Sequence, residues 1–509
     1  MPPLEVDPTS DIDVSNNHVT NIYVTFGSLG CIEGVAMAEF IGRERQLAEL
    51  ERFLARVQGD SSKKPGRAVL MRGRRRVGKS RLVEEFLERS GVPFVFFTAS
   101  AQPPGVELRL FCEEVAASSL PGANLFAGVT LDTWEQAIRL LGAAVPVDRA
   151  SVIVLDELPY LTEANPALEG TLQKMFDRDL SNRRVLLIGV GSDLARMEAL
   201  NEYGRPFHQR ATEMVIPPLS PADVGAMLEL PPAEAFDAFL VTGGLPLICN
   251  EWQPGASVWD SLEDALSTST SALIVSGERA LAAEFPALAQ ARVVLGAIGS
   301  GETTFTNIGQ RAGGLSQAPL ARALGILTDK RVVAVDQPLS TKKTKEPRYR
   351  IADPYLRFWL RFIGPHLDEV ERGRGDLVLN RIRTSWPAWR GRAIEPVVRE
   401  ALSRLVAERL EVSAPVVGGY WTRNNSLEID IVVADRAPVA TRIHAVGSIK
   451  WHETGRFDHR EQAVLERQRE QIPGGSDDVR LIAASRSGCD ASGVEAFGPA
   501  ELIAAWSQG

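Results

Sequence analysis

One eight-residue segment restricts the possible folds of this chain more than any other feature. Residues 73–80 read GRRRVGKS and match the spacing G-x-x-x-x-G-K-[ST] at every fixed position. A short apolar run suited to a buried parallel strand precedes them, and apolar residues at helical spacing follow. The two glycines let successive backbone N–H groups converge, and a helix start adds its positive end. The segment therefore predicts an α/β fold with a phosphate-binding loop, or P-loop.

The loop supplies most of the predicted ATP-binding residues. Lys79 is placed to reach the β and γ phosphates, and the Ser80 hydroxyl is placed to ligate Mg²⁺. The other predicted positions lie in the loop or directly after it: Gly73, Arg76, Val77, Gly78 and Arg81. ATP and Mg²⁺ are thus the predicted ligands. The alternative is a glycine turn that binds nothing.

A second strand carries the acids that a P-loop site needs. Residues 151–160, SVIVLDELPY, place Asp156 and Glu157 directly after four apolar residues. Asp156 is predicted to hold Mg²⁺, and Glu157 to act as the general base that polarises the attacking water. The alternative is a strand that ends in a solvated acidic turn. A third strand at 184–189 is followed by Ser192, which is predicted to sense the γ phosphate unless it only forms a turn.

Composition excludes several classes of protein. The chain has 509 residues, of which 44% are apolar and 24% charged, as in a globular protein of three or four domains. No apolar run approaches the roughly 20 residues that a membrane span requires, so we expect a cytoplasmic protein without membrane contact. The 4 cysteines form no CxxC pair. With a net charge of -9, contact with nucleic acid would need a local basic patch.

The chain resembles the AAA-like ATPases of the STAND group in archaea and bacteria. These carry a C-terminal domain of formerly unknown function that is related to restriction endonucleases. The resemblance covers nearly the whole chain after residue 37 and rests on six segments in order: FIGRERQLAEL, GRRRVGKS, VIVLDE, LLIGVGSDLARM, GGLP and YRIADPYLRFWLRF. It implies that residues 40–43 lie beside the adenine and that Pro246 packs on the base from a helical lid.

The resemblance also implies an arginine that stabilises transition-state charge, a short way after the sensor strand. Arg205 and Arg210 are both available, and Arg210 is the preferred choice. The alternative for either residue is an ordinary surface position.

The predicted fold class is α/β, with a P-loop NTPase parallel-sheet core, a helical lid, a winged helix-turn-helix and a C-terminal α/β restriction-endonuclease-like domain. Residues 1–36 are expected to be an N-terminal extension that is either disordered or not part of the natural chain, because Met37 is the expected start. The segments expected after it are the ATPase core at 37–218, the lid at 219–282, the winged helix at 283–352, aromatic hinge helices at 353–387 and the endonuclease-like domain at 388–509. The hinge aromatics Tyr355, Phe358, Trp359 and Phe362 are expected to be buried.

The winged helix is the first of two predicted output modules. Its wing is expected to consist of two strands, at 332–335 and 348–351. The wing carries five basic residues that could contact DNA phosphates: Lys342, Lys343, Lys345, Arg348 and Arg350. The helix offered to a DNA groove provides only Ser316, Gln317 and Arg322 for reading bases. Docking to protein, or packing within the molecule, is the alternative.

The C-terminal domain is expected to contain strands at 416–421, 427–433 and 444–449, together with the residues of a possible Mg²⁺ nuclease site. Glu395, Asp430 and Lys450 occur in the order that restriction-like nucleases use. Ser448, however, occupies the acidic position in GSIKW, and a hydroxyl cannot replace the charge of a carboxylate on Mg²⁺. We therefore expect a degenerate site in a domain that binds nucleic acid or protein.

Three functions remain open from the sequence. The first is an ATP-hydrolysing molecular switch that couples nucleotide state to the winged helix and the C-terminal domain. The second is an ATP-regulated, Mg²⁺-dependent DNA nuclease. The third is a regulator that binds ATP and DNA without hydrolysing ATP. The expected partners are ATP, DNA, and a protein partner or a second copy of the chain.

Overall fold

The computed structural model describes residues 40–59, 64–203, 205, 207–285 and 289–507. The expected N-terminal extension at 1–36 and the expected start at Met37 lie outside these residues. The first part of the described chain alternates helices and strands. In order these are α1 (Glu44–Gly59), β1 (Arg67–Arg72), α2 (Lys79–Ser90), β2 (Phe94–Thr98), α3 (Pro104–Ala117), α4 (Trp134–Ala144), β3 (Ser151–Asp156), α5 (Leu158–Ala164), α6 (Ala167–Arg178), β4 (Val185–Gly191), α7 (Leu194–Leu200) and β5 (Ala211–Val215).

These five strands form one parallel sheet in the order β2-β3-β4-β1-β5. Both faces of the sheet are covered by helices, which explains why β3 and β4 are buried along their whole length. Alternate residues of β1 enter two different cores, with Val69 and Met71 in one and Ala68 and Leu70 in the other. The sheet confirms the predicted α/β fold class, and it brings the carboxyl ends of all five strands to one edge.

A group of helices follows the core. They are α8 (Pro221–Met227), α9 (Pro232–Thr242), α10 (Pro246–Cys249), α11 (Val258–Ser267) and α12 (Ala272–Glu284). Ser220 begins α8 through a capping box, in which its side chain accepts from the N–H of Asp223 and the Asp223 carboxylate accepts from the N–H of Ser220. Gly243 ends α9 in the left-handed conformation.

Three further helices precede a two-stranded antiparallel sheet, which is the element order expected for a winged helix. The helices are α13 (Ala289–Gly299), α14 (Phe305–Arg311) and α15 (Gln317–Asp329), and the strands are β6 (Val333–Asp336) and β7 (Arg348–Ile351). The loop between the two strands packs on the C-terminal domain, where the Leu339 N–H donates to Gly419 O and Leu339 is buried in the core. The loop between β6 and β7 is therefore held against the C-terminal domain.

The aromatic segment is buried as predicted. Helix α16 (Pro354–Phe358) continues into a π-helical turn (Trp359–Ile363) and then α17 (Leu367–Glu371). The Tyr355 hydroxyl and the Trp359 indole N–H donate to backbone carbonyls of α12, at 2.9 Å each. A methyl group on Gly277 of α12 would lie 2.3 Å from the Trp359 ring, so only glycine permits this contact.

The expected boundary at 387/388 does not separate two elements. A single 35-residue helix, α18 (Gly375–Arg409), runs across it and contains Pro387 and Pro396. The first half of α18 packs in the core that also contains α11 and α12, and the second half packs in the C-terminal core. Burial in both cores stabilises the helix in spite of the two missing backbone donors.

The C-terminal sheet is mixed and separate from the first, with the strand order β12-β11-β10-β9-β8. Its elements are β8 (Val416–Trp421), β9 (Glu428–Ala434), β10 (Ile443–Lys450), α19 (His459–Gln471), β11 (Arg480–Ser485), β12 (Glu495–Phe497) and α20 (Pro499–Ile503). The sequence predicted the first three strands but neither β11 nor β12. Within the described ranges, no helix has the length and apolar character that crossing a membrane requires.

Candidate functional site

The P-loop lies between β1 and α2, at the edge where all five strands end. Gly78 directly precedes α2 with φ 83°, a left-handed conformation that favours glycine. A methyl group on Gly73 would lie 2.5 Å from Ile216 O, so the chain can pass there only without a side chain. The two glycines of the motif are thus required by backbone conformation and by close approach, respectively.

Lys79 is buried within the loop that it completes. Its Nζ donates to Gly73 O at 2.9 Å, to Arg74 O at 3.0 Å and to Ser192 Oγ at 3.0 Å. Burial lowers the pKa of Lys79 to about 8, although the nearby carboxylates of Glu157 and Asp156 oppose this shift. The ammonium group therefore stays charged at neutral pH, in a place suited to a phosphate anion.

Two acidic side chains meet the loop from the end of β3. Ser80 Oγ donates to Asp156 Oδ2 at 2.8 Å, and Ser192 Oγ donates to Glu157 Oε1 at 2.8 Å. Glu157 has φ 51°, which is rare for a residue with a side chain and occurs often at functional sites. Ser192 at the end of β4 thus connects Lys79 with Glu157.

The donor set fits a magnesium ion. Ser80 and Asp156 present hard oxygen atoms within 2.8 Å of each other, which is the type of ligand that Mg²⁺ prefers. Burial raises the pKa of Asp156, whereas the hydrogen bond from Ser80 acts in the opposite direction. A cation at this carboxylate would stabilise its charged form.

Residues expected beside the nucleotide base also reach the loop. Buried Arg43 donates from Nη2 to Val77 O at 2.8 Å, and burial lowers its pKa to about 10. Pro246, at the start of α10, faces Gly78, because a methyl group on that glycine would lie 3.6 Å from Pro246 Cγ. The Arg81 guanidinium lies 5.7 Å from the Phe40 ring centre.

The structure does not bring the two arginines chosen by resemblance to this cluster. Arg210 precedes β5 and lies at the edge where the strands begin, opposite the P-loop, with its Nε donating to Asp177 at 3.0 Å. Arg205 pairs with Glu169 at 2.6 Å. The choice of Arg210 overlooked a rule of parallel sheets. A residue that precedes a strand lies at the amino ends of the neighbouring strands, whereas the P-loop lies at their carboxyl ends.

Of the three arginines at variable positions of the loop, sequence reasoning named only Arg76, as an ATP-binding residue, and missed Arg74 and Arg75. Arg74 forms an ion pair with Asp353 and donates to Arg331 O at 3.1 Å. Arg75 donates to the Tyr160 hydroxyl at 2.6 Å, and Arg76 donates to Ser276 Oγ of α12, also at 2.6 Å. The run RRR could have drawn attention, but the motif assigns no role to these positions.

Glu395, Asp430 and Lys450, the candidates for a nuclease site, line one cleft, but each of them forms a hydrogen bond or an ion pair with another side chain there. Asp430 Oδ2 accepts from Ser448 Oγ at 3.0 Å and from the N–H of Ile449 at 2.8 Å. Glu395 pairs with Arg399 at 2.9 Å, and burial raises its pKa. Lys450 pairs with Glu461 of α19 at 2.9 Å.

These features define the class of protein: an α/β protein with a P-loop NTPase core and a separate C-terminal mixed-sheet domain. Residues 359–464 match the DUF234 family, described as archaeal and bacterial proteins of unknown function. This match confirms the expected resemblance to archaeal-type P-loop ATPases whose C-terminal domain has no established function.

One relative and two solved structures illustrate the similarity. An uncharacterized protein of Methanocaldococcus jannaschii is 25% identical over 400 residues, which cover 77% of this chain and 84% of the relative. A Walker-type ATPase of Pyrococcus abyssi is 19% identical, covering 63% of this chain and 96% of that chain with a TM-score of 0.44. The ORC2 protein of Aeropyrum pernix is 15% identical, covering 69% and 97%, with a TM-score of 0.44.

Proposed function

We propose that this protein binds and hydrolyses ATP at the P-loop and uses the nucleotide state as a molecular switch. The observation that supports this most directly is the hydrogen-bonded chain from Lys79 through Ser192 to Glu157, next to the Ser80–Asp156 pair. The side chains proposed as the phosphate-binding cation, the metal ligands and the general base thus lie at one edge of one sheet, which supports the proposal.

Each side chain has a separate role in the proposed reaction. Lys79 and the loop N–H groups bind the β and γ phosphates, and the Glu157 carboxylate accepts a proton from the attacking water. Ser192 holds Glu157 and Lys79 in one geometry, so that base and phosphate-binding cation are positioned together. Mg²⁺ held by Ser80 and Asp156 would neutralise charge on the phosphates.

The arginines of the loop provide a route from the site to the rest of the molecule. Arg74 contacts Asp353 at the start of α16, and Arg76 contacts Ser276 on α12. A displacement of the loop by nucleotide would change both contacts at once. ATP can drive such a switch only if it binds one arrangement more tightly than the other.

Phosphate release from the full chain tests the proposal. We expect Glu157→Gln to bind ATP normally but to turn it over at least about 100-fold more slowly, because the general base is lost. Lys79→Ala should lose ATP binding. The matched control is Glu163→Gln, which removes an exposed carboxylate on α5 outside the cluster. Turnover by Glu157→Gln equal to that of the wild type would refute hydrolysis at this site and favour the non-hydrolysing regulator.

The C-terminal domain is proposed to be a binding module of this switch. Asp430 and Glu395, which a nuclease would use for metal, accept hydrogen bonds or an ion pair from Ser448, Ile449 and Arg399. Mg²⁺-dependent cutting of plasmid DNA that disappears in Asp430→Ala would instead establish the nuclease alternative.

A further inference from the structure

A basic cleft lies between the two-stranded sheet, helix α18 and the C-terminal sheet. Its cavity measures about 980 Å³ and is lined by residues of β7, α18, β9, β10 and α19. Eight of the lining residues are basic and five are acidic, so the cleft is positive in a chain whose net charge is negative. This local excess of positive charge is the kind of patch that an acidic protein needs to attract a polyanion.

The ion pairs within the basic cleft divide its arginines into two groups. Four basic residues pair with carboxylates of the cleft, in the pairs Arg348–Glu428, Arg350–Asp336, Arg399–Glu395 and Lys450–Glu461. Among the described residues, Arg357, Arg392 and Arg460 form no side-chain hydrogen bond or ion pair, and Arg361 donates only to the carbonyl of Ser300. The second group therefore supplies the excess charge.

Arg357 is the most informative of these side chains. It projects into the cleft from α16 and is half-buried. Burial lowers its pKa to about 10, so the guanidinium remains charged at neutral pH. A partly buried guanidinium presents several donors in a planar fork that matches the oxygens of a phosphate.

The chemistry around Asp430 in the basic cleft favours a phosphodiester over a metal. Asp430 Oδ2 accepts from the Ser448 hydroxyl and from the N–H of Ile449. Within the described part of the chain, no group of three or more Asp, Glu, His or Cys side chains is placed to hold a metal ion. A phosphate in this cleft would meet arginines directly and would not need a metal ion to bridge it to carboxylates.

The aromatic lining of the basic cleft favours one strand over two. Two half-buried aromatic side chains, Tyr349 and Trp389, also line the cleft. Basic grooves with aromatic side chains bind single strands, because bases stack on the rings while the cations follow the backbone.

We infer that the basic cleft binds the sugar–phosphate backbone of single-stranded nucleic acid. This deepens the proposed switch by naming the ligand of its output module, but the binding itself requires neither ATP nor Mg²⁺. The two ideas can therefore fail separately: loss of ATP turnover leaves the cleft intact, and loss of strand binding leaves the P-loop intact.

Fluorescence anisotropy of the full chain with a labelled single-stranded oligonucleotide about 12 nucleotides long tests the inference. The measurement is made in EDTA, without ATP, with DNA and RNA strands and with a duplex of the same sequence. Arg392→Gln and Arg460→Gln change exposed residues, so folding is not at risk, and Arg357→Gln tests the half-buried position. Arg442→Gln is the matched control, because Arg442 is exposed in the same domain and pairs with Asp478 outside the cleft.

We expect each cleft variant to weaken single-strand binding about tenfold, and the double variant Arg392→Gln/Arg460→Gln to flatten the plot of log affinity against log salt by about 1.4. Arg442→Gln should bind as the wild type does.

Equal weakening by Arg442→Gln, or tighter binding of the duplex, would overturn the inference. Binding that appears only with Mg²⁺ and is lost in Asp430→Ala would also overturn it and assign the cleft to a metal site. Preference for an acidic peptide over both nucleic acids would indicate a protein partner instead.

Discussion

Arg74 of the P-loop forms an ion pair with Asp353, whose other carboxylate oxygen accepts from the N–H of Leu356 and caps α16. One carboxylate therefore joins the phosphate-binding loop to the helix that leads into the long helix α18. This contact connects the proposed ATP site directly with the second half of the chain.

Arg74→Ala should uncouple the two halves while leaving ATP turnover within about twofold of the wild type, because the side chain of Arg74 binds Asp353 and not Lys79 or Glu157. The measurement is hydrogen exchange of α16 with and without ATP. We expect ATP to change the hydrogen exchange of α16 in the wild type. The same change is expected in the control variant Arg75→Ala, because the Arg75 guanidinium donates to Tyr160 and not to Asp353. An unchanged ATP effect in Arg74→Ala would contradict this route.

Asp353→Ala should destabilise the fold more than Asp353→Asn. The alanine variant loses both the ion pair and the helix cap, about 2 kcal/mol in total, whereas asparagine keeps an acceptor for the Leu356 N–H. Urea denaturation measures the difference. Equal losses in the two variants would show that the cap contributes nothing.

ATP affinity should fall as the pH rises above about 8. Burial lowers the pKa of Lys79 from 10.5 to about 8, so the free protein loses the lysine proton above that pH. Binding of an anion favours the charged lysine and must take up that proton, which costs at most about tenfold in affinity per pH unit. Below pH 8 the proton is already bound and this effect disappears. Calorimetry in two buffers of different ionisation enthalpy measures the uptake, and a flat affinity between pH 7.5 and 9.5 would be inconsistent with it.

Gly73→Ala should weaken ATP binding by about tenfold or more. The added methyl group would lie 2.5 Å from Ile216 O, and a backbone shift to relieve this contact would displace the loop N–H groups. Gly105→Ala is the matched control, because that glycine lies in α3 with nothing within 4 Å of the added atom. Titration with a fluorescent ATP analogue compares them, and comparable affinities for the two variants would remove the steric reason for Gly73.

Asp237→Ala should destabilise the protein by about 3 kcal/mol or more. Asp237 on α9 is buried between Arg390 of α18 and Arg486, at 3.0 and 3.1 Å. Its loss removes the carboxylate that Arg486 pairs with and leaves buried Arg390 with only the exposed Glu453, at 3.1 Å. Burial raises the pKa of Asp237, and the two arginines oppose that shift. Asp478→Ala breaks the exposed pair with Arg442 and should leave the unfolding midpoint nearly unchanged. Similar urea midpoints for the two variants would show that the buried ion pair does not stabilise the packing of α9 on α18.

Local patterns predicted much of the core correctly. The apolar runs before residues 73 and 156 coincide with β1 and β3, and the sequence also identified β7 and β8. Such strands depend on how apolar and polar residues alternate within a few positions, and this pattern can be read directly from the sequence. Strands β11 and β12 were missed because their stability depends on pairing within the sheet, β11 with the sequence-distant β10 and the three-residue β12 with β11.

The sequence by itself determined the phosphate-binding loop and the identity of Lys79, Ser80, Asp156, Glu157 and Ser192, because glycine spacing and strand ends restrict where these chemistries can occur. Only the tertiary structure decided that Arg74 meets Asp353, that Arg210 lies at the far edge of the sheet, and that Arg357 faces a cleft with Ser448. The physical reason is distance along the chain: these relationships depend on how separate elements pack, and no local pattern encodes which surfaces come into contact.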